Sequence, residues 1–216
     1  MTRAILLLLA LAGSPAVNAQ EFQWPDEASG GWLLAFVDVE TTGLVPGYHE
    51  MIDIGIVMTD LDGAELGDLF VRIQPDHPER TDEGARAVNA YEEDRWRELG
   101  ALSAEAAIDR IVSFHEQNAG SRNVLMVAFN SHFDAAFLDH LFRSRERSWR
   151  ELYHYFILDL PSMAWSLGIR DLTGTSIANK LGVADEPHVA ELHTGITGAR
   201  LNARIYRALL ALTELE

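Results

Sequence analysis

Phe36-Val37-Asp38-Val39-Glu40-Thr41-Thr42-Gly43-Leu44 sets two carboxylates into an otherwise apolar run. From Trp32 to Glu40 the chain has the β-branched and apolar content of a buried strand. On a strand, residues i and i+2 share a face, so Asp38 and Glu40 project side by side. Charge in such a place is unfavourable unless a cation compensates it. Two adjacent carboxylates suit hard divalent ions such as Mg²⁺ or Mn²⁺. The Thr41-Thr42-Gly43 turn would expose backbone amides beside them. Alone, an Asp-x-Glu pair also fits a solvated strand end, so its accompaniment decides.

Beyond this strand the chain alternates between extended and helical patterns. Met51 to Asp60 reads as a second strand and Leu69 to Gln74 as a third, with turn chemistry at Asp60-Leu61-Asp62-Gly63. Ser103 to Glu116 has helical spacing with Ser103 as N-cap. Val124 to Phe129 reads as a fourth strand, Ser131 to Arg147 as a helix, and Tyr155 to Leu158 as a fifth strand. Helices are expected near Pro161–Leu167 and Ser176–Leu181, and from Thr197 to Leu212. Three strands able to form a meander, then alternating helix and strand, indicate an α/β fold: a mixed five-stranded sheet flanked by helices.

Composition narrows the chemistry. The 216 residues, 48% of them apolar, supply the core of one ordinary domain and disfavour disorder or a multi-span membrane protein. With 33 Asp and Glu against 17 Lys and Arg, the formal charge is -16 and the pI about 4.8. Such a chain repels generic polyanions, so nucleic-acid chemistry must work locally, through bound cations or a small basic patch. The absence of cysteine excludes disulfides and thiolate chemistry. Arg3, the apolar run Ala4 to Ala12, the breakers Gly13-Ser14-Pro15 and the small residues of Val17-Asn18-Ala19 follow the order of a secretory signal peptide. Residues 1–19 are therefore read as a signal, 20–31 as a linker and 32–216 as the domain, and the mature protein as periplasmic or secreted.

Two further segments carry polar groups at positions of interest. Ala128-Phe129-Asn130-Ser131-His132-Phe133-Asp134 leads from a strand into a helix whose first turn holds Asp134, where a carboxylate also suits the helix dipole. His132 reads as a surface or loop residue. Pro187-His188-Val189-Ala190-Glu191-Leu192-His193, ahead of the last helix, offers two histidines able to act as a base near neutral pH.

Together these segments resemble the DEDDh 3′–5′ exonucleases, the group that includes RNase T, oligoribonuclease and the proofreading subunit of bacterial DNA polymerase III. The Asp38–Leu44 stretch resembles their first motif and Asn130–Leu138 their second. Asp159-Leu160 and Thr175–Val183 resemble the approach to the third. The resemblance covers about residues 32–212 and implies an RNase H-like fold with hydrolysis supported by two divalent cations, Mg²⁺ or Mn²⁺. It implies Asp38, Glu40 and Asp134 as metal ligands and His193 as the base that deprotonates water. Thr41, Thr42, Gly43, Leu44 and Asn130 would hold the 3′-terminal nucleotide. The third motif departs from the pattern: taking His193 as its histidine puts Gly198 where an aspartate belongs, while taking His188 puts His193 there. The first register agrees better with the helix that follows.

The missing carboxylate leaves a weak enzyme, one rescued by Glu191 or His188, or a relic. The resemblance therefore implies an exported exonuclease releasing nucleoside 5′-monophosphates from single-stranded DNA or RNA. Its rivals are a degraded fold kept as a binding module and a hydrolase of small phosphodiesters. Arg143, Arg147 and Arg150, and Arg200, Arg204 and Arg207, have the spacing of basic helical stripes or of salt-bridged solvated faces. Tyr48, Tyr91 and Trp96 are candidates for base stacking or for ordinary packing.

Overall fold

In the computed structural model, which describes residues 31–213, the central strand is β1 (Trp32–Thr41), buried along almost its whole length. The signal-peptide reading at 1–19 and the linker up to residue 30 lie outside the described residues. β2 (Met51–Thr59) pairs antiparallel with β1, and β3 (Glu65–Arg72) antiparallel with β2. Three helices follow: α1 (Glu83–Asn89), α2 (Glu93–Glu98) and α3 (Ala104–Ala119). β4 (Asn123–Ala128) then returns parallel to β1 on its free side, and α4 (Ser131–Arg143) leads to β5 (Ile157–Asp159), parallel to β4. The chain ends in α5 (Leu160–Ser166), α6 (Gly174–Leu181) and α7 (Gly195–Thr213). The sheet order is β3-β2-β1-β4-β5, the mixed sheet expected from the sequence.

The two-residue period of β1 sorts its side chains between two cores. Leu33, Ala35, Val37 and Val39 pack with Ile108 and Ile111 of α3 and Phe137 and Leu138 of α4. Leu34 and Phe36 pack with Leu160, Ile177, Ala199, Ile205 and Tyr206 from α5, α6 and α7. Asp38 and Glu40 continue the second series. β3 starts at Glu65 rather than Leu69, because its polar first half pairs with β2 while remaining largely exposed, a pattern that hydrophobicity does not flag. α4 stops at Arg143, capped by Ser144, and Glu146 takes a left-handed conformation (φ 56), so Arg143, Arg147 and Arg150 do not share a helix. His132 lies on α4, exposed, rather than in a loop. The short helices α1 and α2 were not anticipated.

α7 sits unusually close to the β1–β2 pair. A Cβ at Gly195 would lie 2.5 Å from the Asp38 carbonyl oxygen and 2.6 Å from the Gly55 nitrogen, and one at Gly55 would collide with the backbone of Gly195 and Ile196. Two polar contacts pin the helix there. The Gly195 N–H donates to Asp53 Oδ1 at 2.9 Å, satisfying a free amide at the helix start, and Asn202 Nδ2 donates to the Val37 carbonyl at 3.2 Å. Gly55→Ala should therefore force α7 outward, costing about 1–3 kcal/mol in denaturant unfolding, whereas the same change at exposed Gly84 should cost much less.

Candidate active site

The site begins where β1 outruns its parallel neighbour. The β1–β4 pairing ends at Phe36 opposite Val127, so the next residues of β1 have no strand on that side. Buried backbone groups require partners. Asn202 serves the Val37 carbonyl, and Asp134 Oδ1 accepts from the Val39 N–H at 3.1 Å. Asp134, 2% exposed, is thereby fixed between the positions of Asp38 and Glu40 along the strand. Its helix is anchored in turn by Asp159, whose Oδ1 accepts from the Ser131 N–H at 3.0 Å and whose Oδ2 caps α5 through Ser162 N.

Glu40 is held by Asn89 Nδ2, which donates to its Oε2 at 3.3 Å and to the Thr41 carbonyl at 3.0 Å. On the other side, His193 Nε2 is 3.2 Å from Glu40 Oε1, and His193 Nδ1 is 3.4 Å from Glu186 Oε2. Asp38 turns its carboxylate onto Gly198, where a Cβ would collide with it. The space that a side chain at residue 198 would enter is thus filled by Asp38 itself.

These groups open onto a cavity of about 600 Å³ that Asp38, Glu40, Asp134, Glu186 and His193 share with the turn residues Thr41, Gly43 and Leu44. Val88, Phe129 and Phe133 give it an apolar wall. Thr42 does not line it: fully buried, its Oγ1 accepts from the Glu50 N–H at 2.9 Å and braces the turn. Asn130, exposed and left-handed (φ 65), also lies off the cavity.

The two loop residues considered as substitutes for the absent aspartate do not reach it either. His188 is exposed and pairs with Asp185 at 3.0 Å, while exposed Glu191 accepts from Arg95 only through its carbonyl. Glu186 reaches it instead, from a stretch of loop with no motif to mark it. Sequence reasoning also missed Asn89, which gives no local signal, and Asp53. The latter interrupts the apolar run of β2 as Asp38 interrupts β1, and the same argument would have found it.

Five of the six arginines in the two stripes are engaged elsewhere, and Arg207 lies along Gly63 with no ion pair or hydrogen bond among the described residues. Arg143 pairs with Asp139, Arg147 with Glu151 and Asp109, and Arg200 with Asp68. Arg150 bonds the carbonyls of His154 and Tyr155, and Arg204 that of Ala184. Tyr91 and Trp96 are core residues, whereas Tyr48 is exposed beneath the Arg80 guanidinium.

The site therefore concentrates negative groups with little to offset them. Burial, followed by the neighbouring Asp134, Glu40, Glu186 and Asp53, pushes the Asp38 carboxyl well above its ordinary range. Burial and Asp53 push Glu40 up to about 9, against the Asn89 hydrogen bond. Burial raises Asp134 and Glu186 as well, and it lifts Asp53 to about 7 despite the Gly195 amide and Arg72. Among the described residues Asp53 Oδ2 has no hydrogen-bond partner. Among the described residues no three Asp, Glu or His side chains converge, as they stand, into a ready metal cage. Asp134 faces the Val39 amide, Glu40 faces Asn89 and His193, and Asp38 lies against Gly198. The donor set is hard carboxylate oxygen on an open cavity, which fits Mg²⁺ or Mn²⁺.

No protein-family model matches the chain, and no curated protein matches it in sequence. Solved structures do. The nuclease domain of 3′hExo, a DEDDh family member bound to rAMP, superposes with a TM-score of 0.68 at 14% identity, over 84% of this chain and 92% of that one. Escherichia coli ExoI, in a zinc-bound complex with ssDNA, gives 0.68 at 16% identity over 84% of this chain and 41% of that one. Exonuclease I from Methylocaldum szegediense gives 0.65 at 18% over 83% and 40%. The chain spans less than half the length of these exonuclease I proteins. Its fold is the RNase H-like fold of the DEDDh 3′–5′ exonucleases.

Proposed function

We propose that this chain is a divalent-cation-dependent 3′–5′ exonuclease that shortens single-stranded DNA or RNA from the 3′ end, releasing nucleoside 5′-monophosphates. The observation that carries the reading is the gathering of Asp38, Glu40, Asp134 and His193 on one open cavity at the end of β1. Asp38, Glu40 and Asp134 would hold the metal, with His193 beside them. When bound, the cation supplies Lewis-acid stabilisation of the phosphoryl oxygens and a water of lowered pKa.

The remaining work falls to the protein. His193 Nε2 accepts a proton from water as the water oxygen bonds to phosphorus and the P–O3′ bond breaks. The leaving 3′ oxygen takes a proton from solvent water, and the His193 imidazolium returns its proton to solvent, so the net reaction consumes one water. The Thr41–Leu44 turn forms the rim against which a terminal sugar and phosphate would rest. Phe129, Phe133 and Val88 offer an apolar wall for the base. Few phosphates need contact at a single-stranded end, which suits a chain of net charge -16.

One observation favours a second reading, a binding module descended from the enzyme. α7 presents no side chain at Gly198, and Asp38 lies in the space. Export completes the proposal and rests on residues 1–19; a mature N-terminus at Gln20 on sequencing of the exported protein supports it, and an intact Met1 counts against it.

On a 5′-labelled single-stranded oligonucleotide with Mg²⁺ or Mn²⁺, the wild-type protein should give a ladder shortening from the 3′ end. His193→Ala should slow it by about 10²–10⁴-fold, and Asp38→Asn should abolish it. Cation-dependent binding without cleavage would favour the second reading.

The raised carboxyls also make stability depend on pH. Glu40 rises from 4.5 to about 9 and Asp53 from 3.8 to about 7, so the folded chain binds more protons than the unfolded one across that interval. Their stabilisation is fully present below the unfolded values and is lost as pH rises through the folded ones. In chelator, Tm should fall from about pH 5 to about pH 9. Mn²⁺, which must displace those protons, should raise Tm more at the alkaline end.

A further inference from the structure

The turn that rims the cavity is folded over a buried imidazole. A Cβ at Gly43 would lie 2.6 Å from both Cε1 and Nε2 of His49, which is 4% exposed, and 2.7 Å from Asp82 Oδ2. Gly43 does not take a positive φ, so space rather than backbone conformation demands a glycine there. The ring is fixed by the loop it supports. The Val45 N–H donates to His49 Nδ1 at 3.0 Å, and the His49 N–H donates back to the Val45 carbonyl at 2.8 Å. A ring nitrogen that accepts carries no proton, so the neutral imidazole holds its hydrogen on Nε2. That nitrogen stands 3.3 Å from Asp82 Oδ2 and has no hydrogen-bond partner among the described residues. The Asp82 N–H donates to the Thr42 carbonyl at 2.8 Å, which ties the start of α1 to the same turn.

We propose that His49 is the positioning residue of the substrate rim, holding Gly43 and Leu44 where the terminal nucleotide meets the Thr41–Leu44 turn. Its ring fills the space behind Gly43, and its Nδ1 satisfies the Val45 N–H, a donor otherwise unmet in a part-buried loop. Leu44 is 77% exposed and Val45 55%, so neither side chain has packing of its own to hold it. The place of the rim therefore depends on the imidazole and on the backbone bonds that flank it. His49 acts through the turn and does not touch the substrate. The assignment rests on the exonuclease reading for what the rim holds, whereas the buttress is a property of the folded chain.

The buttress is tested by NMR on the full protein at about pH 8, above the ordinary imidazole range, without metal. A scalar coupling across the hydrogen bond should join the Val45 amide nitrogen to His49 Nδ1, and its absence would overturn the proposal. In the nuclease assay, His49→Phe keeps a ring but offers no acceptor. It should raise KM about tenfold with kcat changed by less than about twofold. His49→Asn, whose amide oxygen can stand in for Nδ1, should recover most of that loss. Equal effects of the two substitutions, or a fall in kcat with KM unchanged, would overturn the proposal. Gly43→Ala should raise KM in the wild type and do so less in a His49→Ala background, where the space is open; additive effects would also overturn it. If the wild type cleaves nothing, its affinity for a nucleoside 5′-monophosphate with Mg²⁺ takes the place of KM. Affinity lost in His49→Phe and regained in His49→Asn would then uphold the proposal and sink the exonuclease reading alone. A wild type that neither cleaves nor binds would overturn both.

Discussion

The close seat of α7 on the β1–β2 pair governs the rest of the structure. Gly55 and Gly195 allow the helix backbone to approach the strands, Asp53 anchors its first amide, and Asn202 meets a carbonyl that no strand reaches. That seat delivers His193 beside Glu40 and carries Thr197 next to Glu186. It also brings residue 198 against the Asp38 carboxylate, with no room for a β-carbon while that side chain keeps its conformation. Gly198, where the resemblance would place an aspartate, is therefore part of a packing arrangement.

A second constraint is charge. Asp38, Glu40, Asp134, Glu186 and Asp53 are brought together with one imidazole, and Arg72, the cross-strand neighbour of Asp53, to balance them. Buried like charges cannot all ionise, so without a cation they hold protons or turn to donors such as Val39 N and Asn89 Nδ2. A fold retains so unfavourable a cluster when it has a use for it. On the proposed reading, that use is to hold a divalent ion at the cavity that Asp38, Glu40 and Asp134 share.

Much of this was legible in the sequence because β1 states its business in one line. A period-two apolar strand interrupted on one face by Asp38 and Glu40 announces its burial and its charged end, and Asp134 and His193 line the same cavity. What escaped was whatever depends on distant packing. Asn89 is a polar residue on a seven-residue helix whose role arises from α1 docking beside β1. Glu186 sits in an aperiodic loop, and only the path of that loop over α7 brings it to His193. Thr42 and Asn130, drawn in with their motifs, serve the backbone or face solvent. The first basic stripe failed because Arg143, Arg147 and Arg150 do not share a helix, and along α7 Arg200 is taken by Asp68 and Arg204 by the Ala184 carbonyl.

The central claim is that the carboxylates at the end of β1 form a divalent-cation site. It is tested most directly by crystals grown with Mn²⁺ and a nucleoside 5′-monophosphate, with data collected for manganese anomalous scattering. The account predicts an anomalous peak bonded to Asp38, Glu40 and Asp134, with Asp38 rotated off Gly198 and the nucleotide phosphate completing the coordination. A cavity without manganese, with Asp38 still lying on Gly198 while Mn²⁺ binds elsewhere or nowhere, would contradict it.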